Sequence, residues 1–158
     1  FGFEIMVESS VVYLFRDDQV LMLLRNKKKK DVNQGKWIGV GGKKERNETI
    51  EACAIREVYE ETGYCALDIQ EMGMIDFVYP KFNPERIHVF LCKNFDGEKR
   101  ECLEGELHWI DRSKVSSLNL WTGDHYFLPR IFMKDCPYFH YEMSYDERGS
   151  LIKVKELI

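Results

Sequence analysis

Between Gly42 and Tyr64 the chain reads GKKERNETIEACAIREVYEETGY, and this stretch restricts the fold more than any other. Its second half reads as a helix with marked ends. Thr49 stands where an N-cap side chain would accept from the first turn, and Gly63 where a left-handed residue would stop the last one. At about 100° per residue, Glu57, Glu60 and Glu61 fall at i, i+3 and i+4 and share one face. Ala54, Ile55 and Val58 fall on a neighbouring face that can pack on a sheet.

Like charges at this spacing repel and cost a few tenths of a kcal/mol, so a helix built only for solubility would alternate its signs. A hard divalent cation relieves the repulsion. Mg²⁺ prefers oxygen ligands and is commonly shared between carboxylates and substrate phosphates. Arg56 is placed to orient one carboxylate by a charge-assisted hydrogen bond. Taken alone, REVYEETG reads more readily as an exposed acidic helix and names no function.

The length, 158 residues, suits one domain over residues 1–158, large enough to bury a core without disulfide staples. Hydrophobic residues at 44% and aromatics at 13% place the chain with folded proteins rather than disordered ones. Residues 9–15, 20–24, 37–42, 74–79, 87–92 and 106–110 read as strands. Residues 124–134 read as a second helix that Pro129 would kink, and 138–145 with 151–157 as a terminal hairpin around Arg148-Gly149. This mixed order predicts an α/β fold, a sheet covered by helices. The opening FGFEIMVESS has neither a signal-peptide pattern nor an initiator Met, so the first few residues are expected to be extraneous or disordered.

A formal charge of -4 disfavours a general nucleic-acid surface, so no stable nucleic-acid partner is expected. Apolar runs are far short of the roughly 20 residues that span a bilayer, so no membrane association is expected. The five cysteines form no CxxC, and only four histidines accompany them, which argues against a disulfide framework and a zinc site. A reducing cytoplasm is the simplest setting. Lys27 to Lys30 read as a solvated basic loop, or alternatively as a lure for polyanionic substrates.

The longer pattern changes the reading of the helix. From Gly42 the chain runs through five residues to Glu48, seven more to Arg56-Glu57-Val58, one to Glu60-Glu61 and one to Gly63. This resembles the Nudix box, the signature of pyrophosphatases acting on nucleoside-diphosphate-linked compounds. It matches every defined position but the last, where Tyr64 replaces an aliphatic residue. The resemblance implies a Nudix fold, an α/β/α sandwich with a mixed central sheet and a catalytic loop–helix–loop holding Mg²⁺, with Mn²⁺ as an alternative. It implies Glu57, Glu60 and Glu61 as metal ligands and the carbonyl of Gly41 as a further one. Arg56 and Glu48 would orient the loop–helix–loop. Glycines at 41 and 42 would let the backbone approach metal and phosphates.

Beyond the box, GKWIGVGGK (35–43), HVFLC (88–92), EGELHWI (104–110) and WTGDHYFLP (121–129) resemble the MutT-type, oxidised-purine nucleoside triphosphatases. In that subfamily a carboxylate shortly before a Trp completes the metal site. Glu104 matches best, Glu106 competes, and an ordinary loop acid is the alternative for Glu104. Trp121 matches a base-stacking Trp, and Asp124 the second member of an acidic pair whose first member is here Gly123. Ile38 stands where an Asn reads the oxidised guanine. Both departures remove hydrogen-bonding capacity and weaken the case for strict oxidised-guanine selectivity. Phe77 matches an aromatic pocket wall or is a core residue, and Trp121 is otherwise core filler. Arg25 and Lys43 are expected near the phosphates, Arg25 being equally readable as a solvent-facing strand end.

The expected activity is Mg²⁺-dependent hydrolysis of a nucleoside triphosphate to the monophosphate and pyrophosphate, with oxidised purine nucleotides such as 8-oxo-dGTP leading. The protein would act as a monomer or homodimer. Rival substrates are ADP-ribose and dinucleotide polyphosphates. A non-catalytic nucleotide sensor would be expected to have lost box glutamates, all of which are present here. RNA decapping is opposed by the net acidity, although Lys27 to Lys30 keep it open.

Overall fold

The computed structural model describes residues 6–158. The expectation that the chain opens with extraneous or disordered residues concerns positions 1–5, which lie outside the described residues. β1 (Val7–Arg16) turns at Asp17-Asp18 into β2 (Gln19–Leu24), and a loop over 25–36 leads to β3 (Trp37–Ile38) and β4 (Val40–Lys43). α1 (Ile50–Thr62) runs directly into β5 (Tyr64–Val78), which pairs with β6 (Glu85–Gly97). β7 (Glu106–Asp111), a 3-10 turn (Arg112–Ser117), α2 (Asp124–Ile131) and the hairpin of β8 (Phe139–Tyr145) and β9 (Leu151–Glu156) complete the chain.

The strands run β3-β2-β1-β6-β5-β8-β9, with β4 also on β1 and β7 also on β2. β1–β6 and β5–β8 are parallel and the other pairs antiparallel, so the sheet is mixed. The period-two alternation of β1 and β2 builds two cores. Val12, Leu14, Leu21 and Leu23 face Ala54 and Val58 of α1, whereas Tyr13, Phe15, Val20 and Met22 face Phe127, Leu128 and Ile131 of α2. Each large apolar side chain buried this way contributes about 1.5–3 kcal/mol. The result is the expected sandwich of helices about a mixed sheet.

Four details differ from the sequence reading. Residues 37–42 form two strands, not one: β3 pairs with β2 and β4 with β1, with Gly39 at the junction. β5 and β6 extend well beyond 74–79 and 87–92, because their outer parts are polar ribbons that no apolar run announces. Ile55 is 42% exposed, and Cys53 joins Ala54 and Val58 beneath the helix instead. α2 stops at Ile131 rather than Lys134 and carries Pro129 inside it. Among the described residues no helix is long and apolar enough to cross a membrane.

Candidate active site

α1 carries the acidic residues, and both its ends are built as the sequence indicates. The Thr49 hydroxyl accepts from the Ala52 N–H at 3.0 Å. Gly63 takes φ 85° and donates its N–H to the Tyr59 carbonyl at 2.9 Å. At the other wall of the site the β4 glycines permit close approach. A Cβ on Gly41 would overlap the Ser10 carbonyl, and one on Gly42 would stand 2.5 Å from the Glu57 carboxylate.

Arg56 organises the near side of the cluster. Its guanidinium forks onto Glu48 (Nη2 to Oε1 2.8 Å, Nε to Oε2 3.0 Å) and donates from Nη1 to Glu57 at 2.9 Å and to Glu60 at 3.1 Å. Nη2 also reaches the Lys43 carbonyl at 3.1 Å. These bonds, with the Glu45 N–H, hold the Glu48 carboxyl down to about 2. The Arg56 pKa is pushed up by the same acids, Glu48 first. Lys43 thus contributes its backbone to the Arg56 anchor, and its side chain stays exposed at the end of β4.

Glu61 is the anomaly. It is 6% exposed, and neither of its carboxylate oxygens receives a hydrogen bond. Burial, the adjoining Glu57 and the field of Glu104 all push its carboxyl well above the ordinary range, with Arg25 opposing. The segment before Glu104 is fastened to the end of α1. The Arg100 guanidinium donates to the Tyr59 and Glu60 carbonyls at 2.8 and 3.2 Å, and the Arg100 N–H donates to the Thr62 carbonyl at 2.8 Å. Arg100 also lies over the Tyr59 ring. It places a cation at the negative end of α1, whose own last turn has none.

Glu104 itself contacts Lys28 at 2.8 Å and Arg25 at 3.6 Å, and Arg25 is clamped to Asp31. Glu106 points elsewhere, accepting from Asn26 and meeting His108 on the strand surface.

The donor set fits a hard divalent cation. Its members are carboxylates, one of them is buried without a partner, and the glycine cradle brings the Glu57 carboxylate against backbone. Among the described residues no three acidic, histidine or cysteine side chains form a ready-made cation cage. Mg²⁺ commonly keeps waters and uses substrate phosphates rather than an all-protein cage.

The candidate base pocket lies at the other end of the loop. Trp121 is only 8% exposed. Phe77, Tyr79 and Tyr145 meet it at ring-centroid distances of 5.3, 6.3 and 4.9 Å. Its indole N–H donates to Asn33 Oδ1 at 2.7 Å, and the Lys36 ammonium lies 5.2 Å from its ring centre. Asp124, the first residue of α2, is half-buried. Burial pushes it up to about 7, opposed by Lys36.

Gly123 donates its N–H to the Tyr145 hydroxyl at 2.7 Å, and Met143 and Tyr145 fill the space a side chain there would need. Ile38 and Phe77 are half-buried and pack against the α2-side core. Asn33, Lys36 and Arg100 escaped the sequence reading, and Lys28 stood in it only as one of the Lys27 to Lys30 run. Only the lysine run gave any signal there, and it did not say which lysine mattered. A separate groove of about 1070 Å³, lined by Phe15, Tyr64, Phe95, Arg112 and Phe132 among others, includes none of the candidate residues.

Fold and site together define an α/β protein with an all-carboxylate candidate site on its first helix. The NUDIX domain model matches residues 6–131. The chain is 33% identical over 113 residues to the oxidized purine nucleoside triphosphate hydrolase of Danio rerio, covering 71% of this chain and 72% of that one. It is 29% identical over 137 residues to the protein of the same name from Mus musculus, covering 84% and 85%. A MutT protein from Bacillus halodurans superposes with a TM-score of 0.86 at 21% identity, over 96% of this chain and 98% of that one, a likeness of fold. The chain belongs to the Nudix hydrolase family.

Proposed function

We propose that this hydrolase cleaves nucleoside triphosphates to the monophosphate and pyrophosphate, with oxidised purine nucleotides such as 8-oxo-dGTP as the leading substrates. The observation that carries the reading is Glu61, a buried carboxylate with no donor, set against Glu57 and within the field of Glu104. Such an arrangement is costly in a protein interior unless a cation joins it. Glu57, Glu60, Glu61, Glu104 and the Gly41 carbonyl would hold Mg²⁺, or Mn²⁺ in its place. When bound, the ion would neutralise the polyphosphate and lower the pKa of a bound water.

The chain's own residues supply the positioning. Arg56 and Glu48 lock the helix to the loop after β4, so that Glu57 stays over Gly42. Arg100 holds the Glu104 segment against the helix end. Arg25 faces Glu104 and would donate to phosphate oxygens. The base would enter beside Trp121, Phe77 and Ile38 and offer its edge to Asp124. Similarity to the two oxidized purine nucleoside triphosphate hydrolases supports this substrate class.

The test is a panel of nucleotides with Mg²⁺, following pyrophosphate and phosphate separately. Preferential release of pyrophosphate from 8-oxo-dGTP is expected. Equal kcat/KM for dGTP and 8-oxo-dGTP would remove the preference for oxidised bases. Cleavage of ADP-ribose to AMP and ribose 5-phosphate, without triphosphate cleavage, would replace the substrate class.

A further inference from the structure

The loop over 25–36 carries four consecutive lysines to which the hydrolase reading gives no task. Its own contacts fold it into a hook. Arg25 Nε donates to Asp31 Oδ2 at 2.8 Å, Asp31 Oδ1 accepts from the Asn33 N–H at 3.1 Å, and Asn33 Oδ1 accepts from the Trp121 indole at 2.7 Å. One end of the hook is therefore pinned at the candidate base pocket.

The lysines then divide by partner. Lys27 donates to the Cys102 carbonyl at 2.9 Å. Lys28 puts its ammonium 2.8 Å from Glu104 Oε1, and this side chain is 58% exposed against 26% for Glu104. The Glu104 carboxylate thus has a solvent-accessible lysine resting on it.

A cation held by Glu104 would compete with that ammonium for the carboxylate. A polyphosphate chain is the better partner for Lys28, because it offers several charged acceptors at once. The lysine stem is flexible enough to move from carboxylate to phosphate while its backbone stays in the hook. We propose that Lys28 is a polyphosphate-recognition residue that masks Glu104 until a polyphosphate draws its ammonium away. The triphosphate would then uncover the outlying carboxylate of its own catalytic set. This rests on the assignment of Glu104 to that set.

The test compares Lys28→Met and Lys28→Arg with the wild type. Without nucleotide, Mn²⁺ binding followed by paramagnetic resonance should tighten about threefold in Lys28→Met, since an exposed pair no longer competes, and should not tighten in Lys28→Arg. Calorimetric binding of inorganic tripolyphosphate should weaken about tenfold in Lys28→Met and be kept in Lys28→Arg. KM for the nucleotide should rise in Lys28→Met while kcat is held.

Opposite signs in the two binding assays are the signature of masking. A merely solvated lysine would change neither and a structural one would weaken both, and either result overturns the proposal. If the wild type cleaves no nucleoside triphosphate, the pyrophosphatase reading fails separately, and the Mn²⁺ and tripolyphosphate assays still decide the role of Lys28.

Discussion

The Glu57 carboxylate lies over the backbone of Gly42, so close that a methyl group on residue 42 would stand 2.5 Å from its carbon. The obstacle is the far end of a side chain, so Gly42→Ala should move Glu57 rather than distort β4. The expected outcome is a kcat/KM reduced about 10–100-fold, as when a ligand's support is disturbed, together with weaker Mn²⁺ binding. The melting temperature should stay within a few degrees of wild type. Unchanged kcat/KM would mean that Glu57 has no part in the chemistry.

Glu61 sets stability against function. A buried carboxylate without a donor destabilises the metal-free protein, and Glu61→Gln removes the charge while keeping the shape. The metal-free variant should melt several degrees higher than wild type, about 1 kcal/mol corresponding to about 2–4 °C at this chain length. Its turnover should be nearly abolished. Added Mn²⁺ should raise the melting temperature of wild type and leave that of the variant almost unmoved. Glu57→Gln should lose turnover without the gain in stability, because its carboxylate already has Arg56. A less stable Glu61→Gln protein would show that the buried carboxylate has a partner in solution.

What the sequence made legible is local. Thr49 and Gly63 mark helix ends through bonds within one turn, and the i, i+3, i+4 spacing alone puts Glu57, Glu60 and Glu61 on one face. The acidic face of the candidate site was therefore readable. Contacts made across the fold were not. Arg100 grips the Tyr59 carbonyl from 41 positions away, and Trp121 reaches Asn33 across 88. Spacing favours Glu104 over Glu106 but could not show their surroundings: β7 begins at Glu106, whose side chain meets Asn26 and His108, whereas Glu104 meets Lys28 and Arg25. Ile55 fits the helical apolar pattern as well as Ala54 does, yet it is left exposed while Ala54 is buried.

Arg100 is expected to act through position. Arg100→Met keeps an apolar stem against Tyr59 and deletes the donors to two helix-end carbonyls. Stability should fall by about 1 kcal/mol, and kcat should fall more than KM rises as the Glu104 segment loosens from α1. Arg100→Lys should recover part of both, since an ammonium still meets the negative helix end. Loss of stability with kcat intact would separate the two effects and remove Arg100 from the positioning of Glu104.

Asp124 is expected to make base recognition depend on pH. Burial pushes its carboxyl up to about 7, so the group is protonated below that value and ionised above it. A folded-state value above the unfolded one means a contribution to stability that is complete below the ordinary Asp value and lost as pH rises through about 7. The melting temperature of wild type should accordingly decline over that interval relative to Asp124→Asn. Recognition should change sense over the same interval. The protonated acid donates to an acceptor such as adenine N1, whereas the carboxylate accepts from donors such as the guanine N1–H. The ratio of kcat/KM for dGTP over dATP should therefore rise with pH through a midpoint near 7 and be flat in Asp124→Asn. A ratio that is flat in wild type would place Asp124 among the supports of the fold, away from the base edge.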